Sequence, residues 1–163
     1  MNHTSTLLKI INNTRPVLLS QNQELMKQKP SINNWSKQEI VGHLIDSGNN
    51  NLRRFKRALH QDHLIFEGYD QEKSVEKAKY QSKDWDSLVN EWFDVNQKIV
   101  NHIAGIDNLK MNLKTNKHNF HQICMRTIPE TENTNLRYLI EDYIFHLEHH
   151  LIQILSSYQR LIN

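Results

Sequence analysis

Glycine and proline are scarce in this chain: four glycines and three prolines punctuate 163 residues, and between them apolar residues recur at helical period. A β-rich chain needs tight turns every few residues, and the residues that make such turns are largely missing here. The pattern predicts an all-α fold. No internal repeat or linker divides it, and its length suits one domain over residues 1–163. A domain of this size buries roughly 70% of the surface its unfolded chain exposes.

The periodicity places four long helices. The first is expected over about Ser5 to Lys27, with Leu7, Ile10, Ile11, Leu18 and Leu25 among its apolar positions, kinked or divided at Pro16. The second opens at Ser36-Lys37-Gln38-Glu39, a capping box that Trp35 and Ile40 can staple. Its inward stripe runs Ile40, His43, Leu44, Leu52, Phe55, Leu59, interrupted by the polar run Ser47 to Asn51. A polar connection from Gln61 to Lys83 follows, with Asp70 positioned to cap a short helix. The third long helix starts near Asp84 or Asp86, carries Trp85, Leu88, Val89 and Trp92, and stops at Gly105. Ile106 to Asn133 reads as irregular or partly extended. The last helix is expected over about Thr134 to Leu161, with residues from Leu136 to Tyr158 on its core face. Four long helices with two long connections predict a four-helix bundle with long crossovers, an architecture whose facing helices commonly aim metal ligands inward.

Charge and cysteine usage narrow the function classes. Twenty basic against eighteen acidic residues leave a formal charge of +2. No basic stripe suits nucleic acid, and Arg53-Arg54-Phe55-Lys56-Arg57 reads as the solvated face of a helix. No stretch approaches the roughly 18 apolar residues of a membrane span, and the N-terminus carries no secretory pattern. A single cysteine, Cys124, excludes an intrachain disulfide and points to a reducing, cytoplasmic setting. Cys124 itself reads as a small buried hydrophobe, a soft metal ligand or a reactive thiol.

The chemistry concentrates in histidine. In His146-Leu147-Glu148-His149-His150, His146 and His150 stand four apart, so a helix puts both imidazoles on one face, one turn apart. His149 is turned about 100° from either neighbour and reads as peripheral. Burying two neutral imidazoles without partners costs about 1–3 kcal/mol each, and a shared metal ion satisfies both. A third donor from another helix would leave coordination positions open, as a catalytic centre requires. His43 lies among inward-facing residues of the second helix; His102, His118 and His121 are further sources, while His3, His60 and His63 sit near ends or loops and read as solvated. Asp46 and Ser47, three and four residues after His43, can face the same site, Asp46 as a partner for an imidazole or as a base. Packed histidines that bind no metal form the contrasting reading.

Several segments together resemble one family. They are Trp35-Ser36, Glu39 to Ser47, Asn49-Asn50, Arg54-Phe55, Gly68-Tyr69-Asp70-Gln71 and Asp142 to Ile154, in that order along most of the chain. In these the sequence resembles the DinB-like proteins, also grouped with the bacillithiol transferase-like metalloproteins. The resemblance implies a four-helix bundle that forms a homodimer and holds nickel or zinc on a histidine triad, which maps onto His43, His146 and His150. It further implies a metal-dependent enzyme of the thiol-dependent transferase or hydrolase type, in which the ion activates a low-molecular-weight thiol or a water against a small-molecule substrate. Asp46 and Tyr69 are the residues expected to assist. Gly48-Asn49-Asn50-Asn51 stands where relatives often carry a carboxylate, so no base is carried over from that position. A metal-binding or dimerising stress-response module without turnover is the alternative.

Overall fold

The computed structural model describes residues 2–162. Four long helices form its body: α1 (His3–Leu19), α3 (Lys37–Ala58), α5 (Trp85–Ala104) and α8 (Leu136–Ile154). Between them lie the short helices α2 (Gln23–Lys27), α4 (Gln71–Ala78), α6 (Asn108–Asn112) and α7 (Phe120–Ile123), with a 3-10 turn at Tyr80–Ser82. The long helices close a ring in the order α1, α5, α3, α8: α5 packs on both α1 and α3, and α8 packs on α3 and on α1. No strand forms among the described residues, and none of their helices is long and apolar enough to cross a membrane.

Helix starts follow the local signals. Ser36 Oγ accepts the Glu39 amide at 3.1 Å while the Glu39 carboxylate accepts the Ser36 amide at 2.8 Å, closing the capping box of α3. Asp70, Asp84 and Asn135 cap α4, α5 and α8, each accepting the amide three residues ahead.

Helix ends depart from expectation in three places. Pro16 lies inside α1, near its C-terminal end, and the division falls after Leu19 instead. There the side chains of Ser20 and Gln21 turn back to donate to the Val17 carbonyl, and Asn22 caps the separate α2. The segment expected to be irregular holds α6 and α7. Finally, α8 ends at Ile154 rather than near Leu161. Glu148 is fully buried, and its carboxylate accepts from the Tyr158 hydroxyl and from the amides of Leu161 and Ile162. Only a chain that leaves the helix can bring those donors back to Glu148, so Tyr158 serves as a donor and not as a residue of the helical core face.

The core gathers Trp85 and Trp92 from α5, Phe55 from α3 and Tyr143 from α8, all fully or almost fully buried. Each such side chain contributes about 1.5–3 kcal/mol by leaving water. Two of its polar atoms are paired, Trp85 Nε1 donating to the Leu18 carbonyl at 2.9 Å and the Tyr143 hydroxyl to Asn96 Oδ1 at 2.6 Å, while Trp92 Nε1 is buried without a partner. Two glycines permit close approach along α3. A Cβ on Gly48 would lie 2.6 Å from Val95 Cγ1 of α5, and one on Gly42 would lie 2.2 Å from the Tyr80 ring.

The two crossovers, 59–84 and 105–135, are clipped together. The Leu64 amide donates to the Lys117 carbonyl at 2.8 Å, and the Asn119 side chain bonds both the amide and the carbonyl of Phe66, at 3.1 and 2.8 Å. Tyr69 from the first crossover and Cys124 from the second thereby wall one cavity against α3 and α8.

Candidate metal centre

The inward face of α3 carries His43, fully buried, and successive turns of α8 carry His146 and His150, both half-buried. One ligand nitrogen from each lies within 4.8 Å of the others, and no other group of three or more potential ligands converges among the described residues. His43 Nε2 and His146 Nε2 are 3.2 Å apart. The ring centroids are 4.6 Å apart for His146 and His150, 4.8 Å for His43 and His150, and 5.2 Å for His43 and His146. An ion about 2.0–2.1 Å from each nitrogen requires donors roughly 3 Å apart, so the His43 and His146 pair already has the spacing that ligation needs.

The far nitrogens are differently supported. His150 Nδ1 is 2.8 Å from Gln153 Oε1, an acceptor, which fixes the proton on Nδ1 and leaves Nε2 with its lone pair free. The Gln153 amide nitrogen is in turn 3.2 Å from His149 Nε2. Ser47 Oγ stands 3.5 Å from His146 Nδ1. His43 Nδ1 is buried without a partner, and the Trp35 ring lies against His43 with centroids 5.0 Å apart.

Electrostatics keeps the three rings uncharged. Burial first, and then His150, lower the His43 pKa to about 3. Burial also holds His146 well below the usual imidazole range, with His150 and His43 adding to the effect, and lowers His150 as well. Neutral imidazole is the ligating form, and three of them without an acidic group suit a borderline divalent cation such as zinc or nickel better than calcium or magnesium. The residues therefore fit a metal ion on the chemistry of the donor set.

An open cavity of about 390 Å³ reaches the centre, and His146 and His150 form part of its wall with Ser47, Arg54 and Tyr69. Burial pushes the Tyr69 hydroxyl up to about 12, and the nearby Asp46 charge adds to the shift. Asp46 does not bond the far side of His43; its Oδ1 accepts from the Tyr80 hydroxyl at 2.7 Å and its Oδ2 is buried without a partner. Burial raises the Asp46 pKa against the lowering effect of that hydrogen bond. Cys124 is buried and stands outside the converging group, so it does not close the site as a fourth ligand.

Two of the remaining histidines have other duties. His118 Nε2 meets the Glu132 carbonyl at 2.8 Å, which orders the second crossover. His3 is buried and meets Glu141 Oε1 at 2.8 Å, against the expectation that it is solvated. One supporting residue, Gln153, lies beyond the sequence-level expectation, legible as the residue three and four positions after His150 and His149.

Comparison with known proteins adds a family and a fold. Residues 6–154 match the model of the DinB superfamily. The solved structure of YfiT from Bacillus subtilis, described as a probable metal-dependent hydrolase with an unusual four-helix bundle topology, is similar with a TM-score of 0.73. The similarity covers 93% of this chain and 81% of that one at 15% identity, which shows a shared fold. No curated protein matches the sequence.

Proposed function

We propose, for a chain that belongs to the DinB superfamily, that His43, His146 and His150 hold one zinc or nickel ion and that the protein is a metal-dependent enzyme acting on a small molecule. The observation that carries this reading is the convergence of three neutral imidazoles, two of which, His146 and His150, line an open cavity. A purely structural centre is usually closed by four protein ligands, and here Cys124 stands aside. When bound, a divalent ion supplies the Lewis acidity that makes a thiol or water nucleophilic near neutral pH.

The chain's own residues contribute position and polarity. Gln153 orients His150, and Ser47 lies beside His146. Tyr69 keeps its proton at neutral pH, because burial and the Asp46 charge both oppose ionisation; it can donate a hydrogen bond to substrate and does not act as a base. Asp46 acts through this field and through its bond to Tyr80. The reaction on this reading is transfer of a low-molecular-weight thiol to an electrophile, or its hydrolytic counterpart with water as nucleophile, in a cytoplasmic homodimer.

The test is metal analysis of tag-free protein followed by turnover assays. One ion per chain is expected in the native protein and a loss of stoichiometric binding in His43→Ala and His150→Ala. The loaded native protein is then assayed with several low-molecular-weight thiols and electrophiles, and with ester and amide substrates alone. Full binding by both variants would remove the triad, and stoichiometric metal with no turnover in any assay would favour the non-catalytic module.

A further inference from the structure

Arg54 is a part of the cavity that the metal reading leaves unused. Within the basic run of α3 it is only 7% exposed, whereas Arg53, Lys56 and Arg57 are exposed. It follows His43, Ser47 and Asn51 at helical spacing, so all four share one face of α3, with Arg54 about three turns, or roughly 16 Å, from His43. Arg54 lines the same cavity as His146 and His150.

The guanidinium is incompletely satisfied. Nη2 donates to the Glu67 carbonyl at 2.8 Å, while Nε is buried and has no partner. Among the described residues Arg54 makes no ion pair. The Glu67 carboxylate is paired with Arg57 at the surface, and Asp142, the acid on the cavity wall, accepts from the amides of Met125 and Arg126. A buried guanidinium that makes no ion pair is costly to keep with an unsatisfied donor. The planar fork of arginine matches the paired oxygens of a carboxylate or phosphate.

Building on the proposed metal centre, we infer that the cavity receives a small molecule with an anionic head, a carboxylate or a phosphate group, held by Arg54, and with its reacting end turned toward His146 and His150. Asn51 and Tyr69 line the same cavity, where the Asn51 side-chain oxygen and the Tyr69 hydroxyl can meet polar groups of such a molecule. An anionic head at one end and the imidazoles at the other give the pocket a direction. Neutral molecules of the same size lack the first anchor.

The experiment titrates the full-length, metal-free protein separately with inorganic phosphate and with acetate at constant ionic strength, following the Arg54 Nε–H resonance by NMR, assigned by its loss in Arg54→Lys. A saturable shift is expected with at least one anion, and the tighter of the two names the head group. His150→Ala should keep this shift, and Arg54→Gln should weaken anion affinity at least tenfold while still taking up one zinc ion per chain. A resonance unmoved by both anions, or unchanged anion affinity in Arg54→Gln, overturns the inference. Should Arg54→Gln fail to fold, the titration of the native protein decides alone. Anion binding in a chain that takes up no metal would sink only the metal reading, and metal uptake without anion binding only this one.

Discussion

His43 Nε2 on α3 and His146 Nε2 on α8 face each other at 3.2 Å, so two helices far apart in sequence present two ring nitrogens to one point. Without metal the contact holds as a hydrogen bond only while one nitrogen carries a proton and the other does not.

That relationship predicts how the metal-free protein responds to acid. The His43 pKa is lowered to about 3 in the folded chain, below the ordinary value of 6.5, so the unfolded state binds the proton more readily between those values. Stability contributed by neutral His43 is fully present above about pH 6.5 and is lost as pH falls toward 3. Denaturant midpoints of the metal-free protein should drop across this window, and His43→Gln should flatten the slope. Equal slopes in the two proteins would contradict the assignment.

Gln153 is expected to set the affinity of the centre through His150. Gln153→Ala removes the acceptor that keeps His150 Nδ1 protonated, and loss of such a partner typically costs about 10–100-fold in metal affinity. Competition with a chelator measures the change. Native affinity in the variant would mean that packing alone orients the ring.

Gly42→Ala places a Cβ 2.2 Å from two atoms of the Tyr80 ring. The ring is buried and its hydroxyl is committed to Asp46, so relief requires displacement of the 3-10 turn or of α3. Overpacking of this kind costs about 1–3 kcal/mol. Urea unfolding should show that loss, and a variant as stable as the native chain would show that the turn moves freely.

Cys124 should be a poor nucleophile. Burial pushes its thiol up, and the Asp142 carboxylate beside it adds to the shift, so little thiolate is present at neutral pH. Iodoacetamide should label the native chain slowly and the urea-unfolded chain rapidly. Fast labelling of folded protein would restore the reactive-thiol reading.

The legible parts of this fold are those decided within a few residues of the chain. Ser36 and Glu39, Asp70 and Asp84 announce helix starts because a cap needs only its own first turn. The end of α8 was not legible, since it depends on Glu148 collecting donors from a segment that has already left the helix. Gln153 could have been found from spacing, but the buried Arg54 guanidinium donates to the Glu67 carbonyl, thirteen residues later within the first crossover, which no helical period encodes.

By itself the sequence determined four amphipathic helices and the placement of His146 and His150 on one face, because the 3.6-residue period is set by local backbone hydrogen bonding. The resemblance maps the third ligand onto His43, and tertiary structure decided its approach to that pair. His43, His102, His118 and His121 were all available, and the ring order that sets α3 against α8, with the clipped crossovers, brings His43 to the pair and uses His118 elsewhere. Distances between helices rest on packing across the whole bundle, and no local period encodes them.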